Sequence, residues 1–184
     1  MLARYAAVCQ TEGFVPIVEP EVLIDGDHTI ERSALVIETV LHAVFHALHR
    51  HKVVLECIVL KPSMVTPGKD FPSGASPEQV AEATIKVFRR AVPAAVPSIN
   101  FLSGGQTPEE ATANLNAMNA MFPNVPWELS FSYGRALQEP ALKAWQGKTE
   151  NTAATQQALY QRAFLNGAAR TGKYTSIMET ETFI

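Results

Sequence analysis

Apolar and polar positions along this chain form two alternating kinds of segment. Four short apolar, β-branched runs are typical of strands and lie at 14–21, 53–61, 97–103 and 127–133. Five longer segments have apolar residues every three or four positions, as amphipathic helices do, at 28–51, 76–92, 107–122, 134–147 and 151–172. Another helix opens the chain and ends near Gly13. The predicted order is α-β-α-β-α-β-α-β-α-α.

Two of these helices have clear start signals. Residues 76–79 read Ser-Pro-Glu-Gln and residues 107–110 read Thr-Pro-Glu-Glu. Each stretch supplies a hydroxyl N-cap, a proline at the first helical position and the third-position residue of a capping box. By contrast, no Ser, Thr, Asp or Asn precedes the opening helix as an N-cap.

Strands that alternate with long helices predict βαβ units and a parallel sheet, so we expect an α/β fold. Two architectures fit, an open doubly wound sheet and part of a (β/α)₈ barrel. No GxGxxG or GxxxxGK[ST] motif follows a strand, which weakens the nucleotide-binding open sheet. A full barrel takes about 250 residues, and this chain supplies four strands. We predict one partial domain over residues 1–184, with 173–184 as a C-terminal tail.

Composition narrows the classes of partner. Of the 184 residues, 47% are hydrophobic and 18% are charged, which is ordinary for a globular protein. With a net charge of −3 and no basic cluster, neither nucleic acid nor a membrane is an expected partner. Cys9 and Cys57 both lie in apolar stretches, so we expect reduced packing residues rather than a disulfide. That expectation favours a cytoplasmic location.

Polar residues gather where the predicted strands end. In either architecture the active site lies at the carboxyl ends of the strands. The residues at these ends are Glu19 and Glu21, then Lys61, then Ser103, Gly104 and Gly105, then Ser132, Gly134 and Arg135. We take this set as the candidate site.

Lys61 ends an almost wholly apolar run, which raises two possibilities. Only about 0.04% of an ordinary lysine is neutral at pH 7, so a nucleophilic amine needs desolvation or a nearby cation such as Arg135. The alternative is a rim lysine whose amine reaches water. Glu19 and Glu21 lie two apart on an extended segment and therefore face one side. They are either an acid/base pair or structural ion-pair partners.

The remaining polar clusters suggest a phosphate site and argue against a zinc site. The SGGQ stretch at 103–106, followed by a Thr-Pro-capped helix, is suited to a phosphate group, and Arg135 adds a cation nearby. A glycine-rich turn without a ligand is the other interpretation. His42, His46 and His49 share a helical face opposite the apolar stripe, so we expect them in solvent rather than on zinc. No metal site is predicted.

Several motifs together resemble the class I fructose-1,6-bisphosphate aldolases. They are VPIVEPE, VLKPSMVTPGKD, NFLSGGQT, LSFSYGRALQ, LKAWQGK and the closing GKYT, in the family's order from Leu2 to Thr175. The resemblance implies a (β/α)₈ barrel of which this chain is the C-terminal half, strands five to eight. It implies a glycolytic lyase that cleaves fructose 1,6-bisphosphate into dihydroxyacetone phosphate and glyceraldehyde 3-phosphate.

The resemblance also assigns roles to the candidate residues. Lys61 matches the Schiff-base lysine, Glu19 the acid/base glutamate and Glu21 a glutamate that hydrogen-bonds in the site. The phosphate-binding positions are Ser103, Gly104, Gly134 and Arg135. The substrate is a phosphorylated sugar held as a covalent imine, and no metal cofactor is needed.

Some of the family's features have no counterpart here. The chain has none of the N-terminal strands, which supply an aspartate and two lysines to the site, and it lacks the C-terminal tyrosine. We therefore expect a truncated product, a fragment or an incomplete gene model. Half a barrel would also expose two strand edges, which favours self-association, and full-length members are homo-oligomers. A non-catalytic phosphate-binding half-barrel is the alternative function.

Overall fold

The computed structural model describes residues 1–180, and within them the elements follow the predicted order. The helices are α1 (Leu2–Thr11), α2 (Ile30–Arg50), α3 (Pro77–Ala91), α4 (Pro108–Met121), α5 (Arg135–Trp145) and α6 (Thr152–Arg170). The strands are β1 (Ile17–Val18), β2 (Val59–Leu60), β3 (Ser98–Phe101) and β4 (Glu128–Phe131). Short 3-10 segments lie at Leu55–Cys57, Thr149–Asn151 and Ser176–Thr180.

The four strands form one parallel sheet in the order β1-β2-β3-β4, which confirms the parallel α/β prediction. Consecutive parallel strands are joined through helices, as βαβ units require. Ile99 and Phe101 of β3 are fully buried, and the Phe101 ring stacks on Phe88 of α3 at a centroid distance of 5.7 Å. The core therefore lies between one face of the sheet and the helices.

Both predicted capping boxes are present. The Ser76 hydroxyl accepts from the backbone N–H of Gln79 at 3.3 Å, and the Gln79 side chain accepts from the Ser76 N–H at 2.9 Å. Thr107 and Glu110 make the same reciprocal pair at the start of α4. These local contacts fix the first turns of α3 and α4 independently of the rest of the fold.

The predicted strand at 53–61 is wrong over most of its length. Only Val59 and Leu60 pair in the sheet, because the chain first makes a 3-10 turn at Leu55–Cys57. The Gln10 side chain, from α1, accepts from the Val54 N–H and donates to the Val54 carbonyl, both at 2.9 Å. A side chain thus takes the backbone bonds that a neighbouring strand would have made.

The turn also corrects the cysteine prediction. Both cysteines are free, Cys9 is half-buried, and Cys57 is exposed because the 3-10 turn directs it away from the core. Cys57 is therefore not a packing residue.

The exposed face of α2 is the one that the helical pattern predicted. His42, His46 and His49 are exposed, as predicted. Among residues 1–180 no helix is long and apolar enough to cross a membrane. In the predicted tail, residues 176–180 form a 3-10 segment that the sequence pattern did not indicate, and positions 181–184 lie outside the described residues.

Candidate active site

The carboxyl ends of the four strands form a continuous row of polar residues along one edge of the sheet. Parallel pairing in the order β1-β2-β3-β4 makes each strand end a neighbour of the next. Backbone bonds continue the pairing past the strands: Lys61 N–H donates to the Val18 carbonyl at 2.8 Å, and Ser132 N–H to the Phe101 carbonyl at 2.8 Å. The predicted site residues therefore share one edge of the molecule.

Lys61 and Glu19 contact each other directly. The Lys61 Nζ lies 3.0 Å from Glu19 Oε1, and the two side chains are 20% and 43% exposed. The Lys61 side chain is therefore mostly buried, and the side chain of its carboxylate partner is partly exposed to solvent. A pair this exposed contributes on the order of 1 kcal/mol or less to stability.

The register extends this pair into a polar layer across the sheet. Val18, Leu60 and Ile99 are aligned, so the next positions, Glu19, Lys61 and Asn100, are aligned too, and Asn100 pairs with Ser130. Ile99 and Phe101 face the helices, which places Asn100 on the opposite face of the sheet. Among the described residues, the buried Asn100 Oδ1 has no hydrogen-bond partner.

Glu21 does not join the Lys61–Glu19 contact. It is exposed and has no hydrogen bond or ion pair within residues 1–180. After it the chain is held by Ser63, whose hydroxyl accepts from the Val22 N–H at 2.9 Å and donates to the Val22 carbonyl at 3.1 Å. Glu21 therefore sits at the rim of the candidate site, and its role stays a prediction.

The loop after β3 has the conformation expected of an anion cradle. Gly104 and Gly105 adopt φ values of 56° and 86°, in the left-handed region that favours glycine. A Cβ at Gly104 would lie 2.9 Å from Leu102 Cδ1, so the backbone approach is tight. Within residues 1–180 the N–H groups of both glycines donate to no protein acceptor. Those two donors are available for a ligand.

Side chains behind the loop hold this conformation. The Ser103 carbonyl accepts from both the backbone N–H and the Nε2 of Gln106, at 3.0 and 2.9 Å. Asn114 of α4 donates to Gln106 Oε1 at 2.7 Å. Sequence reasoning included Gln106 only as the last residue of the SGGQ stretch, and it missed Asn114 and Asn100 because no local pattern marks them.

Arg135 is exposed at the first position of α5, directly after Gly134. It makes no ion pair within the part of the chain that the structure describes. Ser132 is half-buried, and its N–H donates to the Phe101 carbonyl of β3. The ends of β3 and β4, which carry Ser103 and Arg135, are therefore neighbours. The described residues contain no group of three or more His, Cys, Asp or Glu side chains placed to hold a metal ion.

Comparison with known proteins identifies the family. The family model "Fructose-bisphosphate aldolase class-I" matches residues 1–183. Cytosolic fructose-bisphosphate aldolase 5 of Arabidopsis thaliana is 59% identical over 95% of this chain. Fructose-bisphosphate aldolase B of Sparus aurata is 56% identical over the same share.

This chain belongs to the class I fructose-bisphosphate aldolases. A solved aldolase from Plasmodium falciparum, crystallised with TRAP and a small-molecule inhibitor, superposes with a TM-score of 0.92 at 51% sequence identity. The match covers 95% of this chain and 50% of that aldolase. The barrel-type fold and the family resemblance are therefore confirmed. The chain spans about half the length of the curated aldolases that it matches, 48% for the Arabidopsis and Sparus proteins.

Proposed function

We propose that this chain carries the imine-forming half of an aldolase that cleaves fructose 1,6-bisphosphate in glycolysis. The observation behind the proposal is the 3.0 Å contact between the amine of the mostly buried Lys61 side chain and Glu19 at the carboxyl edge of the sheet. A nucleophilic lysine needs a nearby base to take its proton and a site that limits hydration. The contact with Glu19 supports the first condition, and the low exposure of the Lys61 side chain supports the second.

Imine formation follows from that pair. Lys61 transfers one proton to Glu19, and the neutral amine adds to the ketone carbon of the substrate to give a carbinolamine. Glu19 then returns a proton to the carbinolamine hydroxyl, which leaves as water, and the cationic iminium remains on Lys61. Glu19 thus acts as base and then as acid, a general acid–base role that typically contributes about 10²–10⁴-fold.

Carbon–carbon cleavage uses the iminium as an electron sink. A base removes the proton of the C4 hydroxyl, the C3–C4 electron pair moves toward the iminium nitrogen, and an aldehyde leaves. The enamine that remains takes a proton at C3, and water hydrolyses the imine to release the triose phosphate. The positive nitrogen performs the polarisation that a metal performs in other lyases, so we propose no cofactor.

Substrate orientation is proposed to come from the loop after β3 and the start of α5. The unengaged N–H groups of Gly104 and Gly105, with Ser103, Ser132, Gly134 and the exposed Arg135, would hold one phosphate. Backbone N–H groups at a helix start and a guanidinium are the groups that bind phosphate most readily. Glu21 is proposed to contact the substrate from the rim.

Borohydride trapping tests the imine. The chain is incubated with dihydroxyacetone phosphate and borohydride, and the reduced adduct is mapped by mass spectrometry. We expect the adduct at Lys61, its loss in Lys61→Met, and its retention in the matched control Lys69→Met, since Lys69 is an exposed lysine on a nearby loop. Adducts spread over the exposed lysines, or unchanged labelling in Lys61→Met, would contradict the proposal.

A second candidate function follows from the length of the chain. Because it spans 48% of the Arabidopsis and Sparus aldolases, the second candidate is a half-barrel that binds phosphate without lyase activity. Phosphate binding without any Lys61 adduct would support this candidate. Adduct formation together with cleavage of fructose 1,6-bisphosphate would exclude it.

We further propose that the chain self-associates and is cytoplasmic. Within the described residues β1 and β4 each have one strand neighbour. Phe14 and Val15, just before β1, and Ile17, its first residue, are exposed by 68%, 62% and 47%. Unpaired edges with apolar neighbours favour association. Sedimentation should show an oligomer that Ile17→Lys disrupts and that the matched control Ile177→Lys leaves intact. A monomer at all concentrations would refute self-association.

The cytoplasmic location rests on the cytosolic Arabidopsis relative and is tested by cell fractionation.

A further inference from the structure

Arg162 of α6 is a buried cation outside the candidate site. It is 4% exposed, and its guanidinium donates to the Glu179 carboxylate, to the Pro108 carbonyl at 3.1 Å and to Thr112 Oγ1 at 2.6 Å. A buried charge without a partner is costly. Glu179 is the acid that pairs with Arg162 among the described residues, so the 3-10 segment Ser176–Thr180 supplies its counter-ion.

Several contacts hold Glu179 in this position. The Tyr174 hydroxyl donates to Glu179 Oε1 at 2.8 Å, and Gln161 Nε2 donates to the Glu179 carbonyl at 3.2 Å. The Tyr174 N–H in turn donates to Asn116 Oδ1 of α4 at 2.9 Å. Burial, with the neighbouring Glu179 carboxylate, raises the pKa of Tyr174, so its hydroxyl keeps its proton and remains a donor.

The other two acceptors of Arg162 belong to the start of α4. Pro108 is the first residue of that helix, and Thr112 lies one turn later, where its hydroxyl also donates to the Pro108 carbonyl at 2.7 Å. This turn directly follows the loop at 103–107. Arg162 therefore connects the C-terminal 3-10 segment to the helix start beside the proposed phosphate cradle.

We propose that Glu179 is a positioning residue for phosphate binding, and that it acts through Arg162. Without the carboxylate, the guanidinium has no counter-ion in a site where its side chain is 5% exposed, and it turns toward water. The Pro108 carbonyl and the Thr112 hydroxyl then each lose the bond that Arg162 donates, and the first turn of α4 loosens together with the glycine N–H groups before it. The inference rests on the proposed phosphate site.

Glu179→Gln tests this, because it removes the charge and keeps the size of the side chain. The matched control is Glu128→Gln, which removes an exposed pair with Arg170 at the opposite end of the sheet. Inorganic phosphate is titrated while the amide signals of Gly104 and Gly105 are followed by NMR. We expect Glu179→Gln to weaken binding about tenfold, or about 1.4 kcal/mol, and Glu128→Gln to leave it unchanged.

A second readout separates positioning from general stability. With unphosphorylated dihydroxyacetone, the yield of borohydride-trapped adduct at Lys61 should be the same in Glu179→Gln and the parent. With dihydroxyacetone phosphate the parent should give more adduct, and this difference between the two ketones should be smaller in Glu179→Gln. Unchanged phosphate affinity in Glu179→Gln would overturn the inference.

If Glu179→Gln does not fold, Tyr174→Phe is the second variant. It keeps the charge pair, removes one bond to Glu179, and should weaken phosphate binding by a smaller factor. Unchanged affinity in Tyr174→Phe would then overturn the inference.

Hydrogen exchange keeps the two proposals distinguishable. If the parent binds no phosphate, the proposed site is wrong, and amide exchange at residues 104–112 then decides the role of Glu179. Faster exchange there in Glu179→Gln than in Glu128→Gln supports the link through Arg162. Equal exchange in the two variants overturns it.

Discussion

Replacing Gly68 with alanine should destabilise the protein more than any other glycine-to-alanine change. Gly68 follows β2 in a loop that lies against the loop after β1. Its backbone is so close to that loop that an added Cβ would lie 2.2 Å from the Gly26 carbonyl oxygen and 2.8 Å from the His28 nitrogen. Both are backbone atoms, so neither can turn away, and the two loops would have to separate by about 1 Å to reach ordinary contact.

The expected magnitude comes from what that separation breaks. Three backbone bonds join the loops, from Gly68, Lys69 and Asp70 to the carbonyls of residues 28, 24 and 26, at 2.8, 2.7 and 2.9 Å. Each contributes about 0.5–1.5 kcal/mol, and overpacking adds about 1–3 kcal/mol. With one or two bonds lost, we expect a loss of about 3 kcal/mol, which lowers Tm by roughly 6–12 °C for a chain of this size.

Gly167→Ala is the matched control and should change stability in the other direction. Gly167 lies within α6, is exposed, and an added Cβ would meet nothing within 4 Å. Alanine should therefore stabilise the helix by about 0.5–1 kcal/mol. Urea unfolding followed by circular dichroism measures both variants. A Gly68→Ala loss below about 0.5 kcal/mol, within the range of ordinary surface substitutions, would refute the reasoning about the loop contact.

Three further changes test other contacts. In the core, the Val65 N–H donates to Thr84 Oγ1 at 3.0 Å, and Thr84→Val removes this acceptor. Urea unfolding should show a loss of about 1–3 kcal/mol in the free energy of unfolding. An equal loss in the exposed control Thr39→Val would contradict this. Ser76→Ala removes the side-chain N-cap of α3 and should lower the free energy of unfolding by about 1 kcal/mol. An unchanged urea midpoint would show that the cap does not stabilise the protein. Burial raises the pKa of Tyr133 above its ordinary 10.0, so the unfolded chain releases that proton first and stability should fall as pH rises above 10. Urea midpoints in this range should fall less in Tyr133→Phe, and equal slopes would refute the assignment.

Helix boundaries were predictable because their signals are local. The capping boxes at 76–79 and 107–110 each form within four residues, so no distant contact is needed to place the start of α3 or α4. The exposed histidines of α2 were predictable for a similar reason, since a period of 3.6 residues fixes which positions share a face.

Strand extents were not predictable from the apolar runs. The run at 53–61 is hydrophobic enough for a long buried strand, yet Gln10, more than forty residues earlier, takes the backbone groups of Val54. Cys57 was misplaced for the same reason, because an apolar neighbourhood in sequence did not become a buried one in space. Only the arrangement of α1 against this segment decides which residues pair in the sheet.

Within the candidate site, the sequence alone predicts which residues lie at the carboxyl edge. A parallel α/β order places every strand end there, so Lys61, Glu19 and the Ser103 loop were predictable as neighbours. Tertiary structure alone decided the 3.0 Å contact of Lys61 with Glu19 rather than Glu21, and the alignment of Asn100 with Lys61. It also decided the pairing of Arg162 with Glu179. The order of helices and strands along the chain follows from local periodicity, whereas register and the partners of buried charges depend on contacts between residues far apart in the chain.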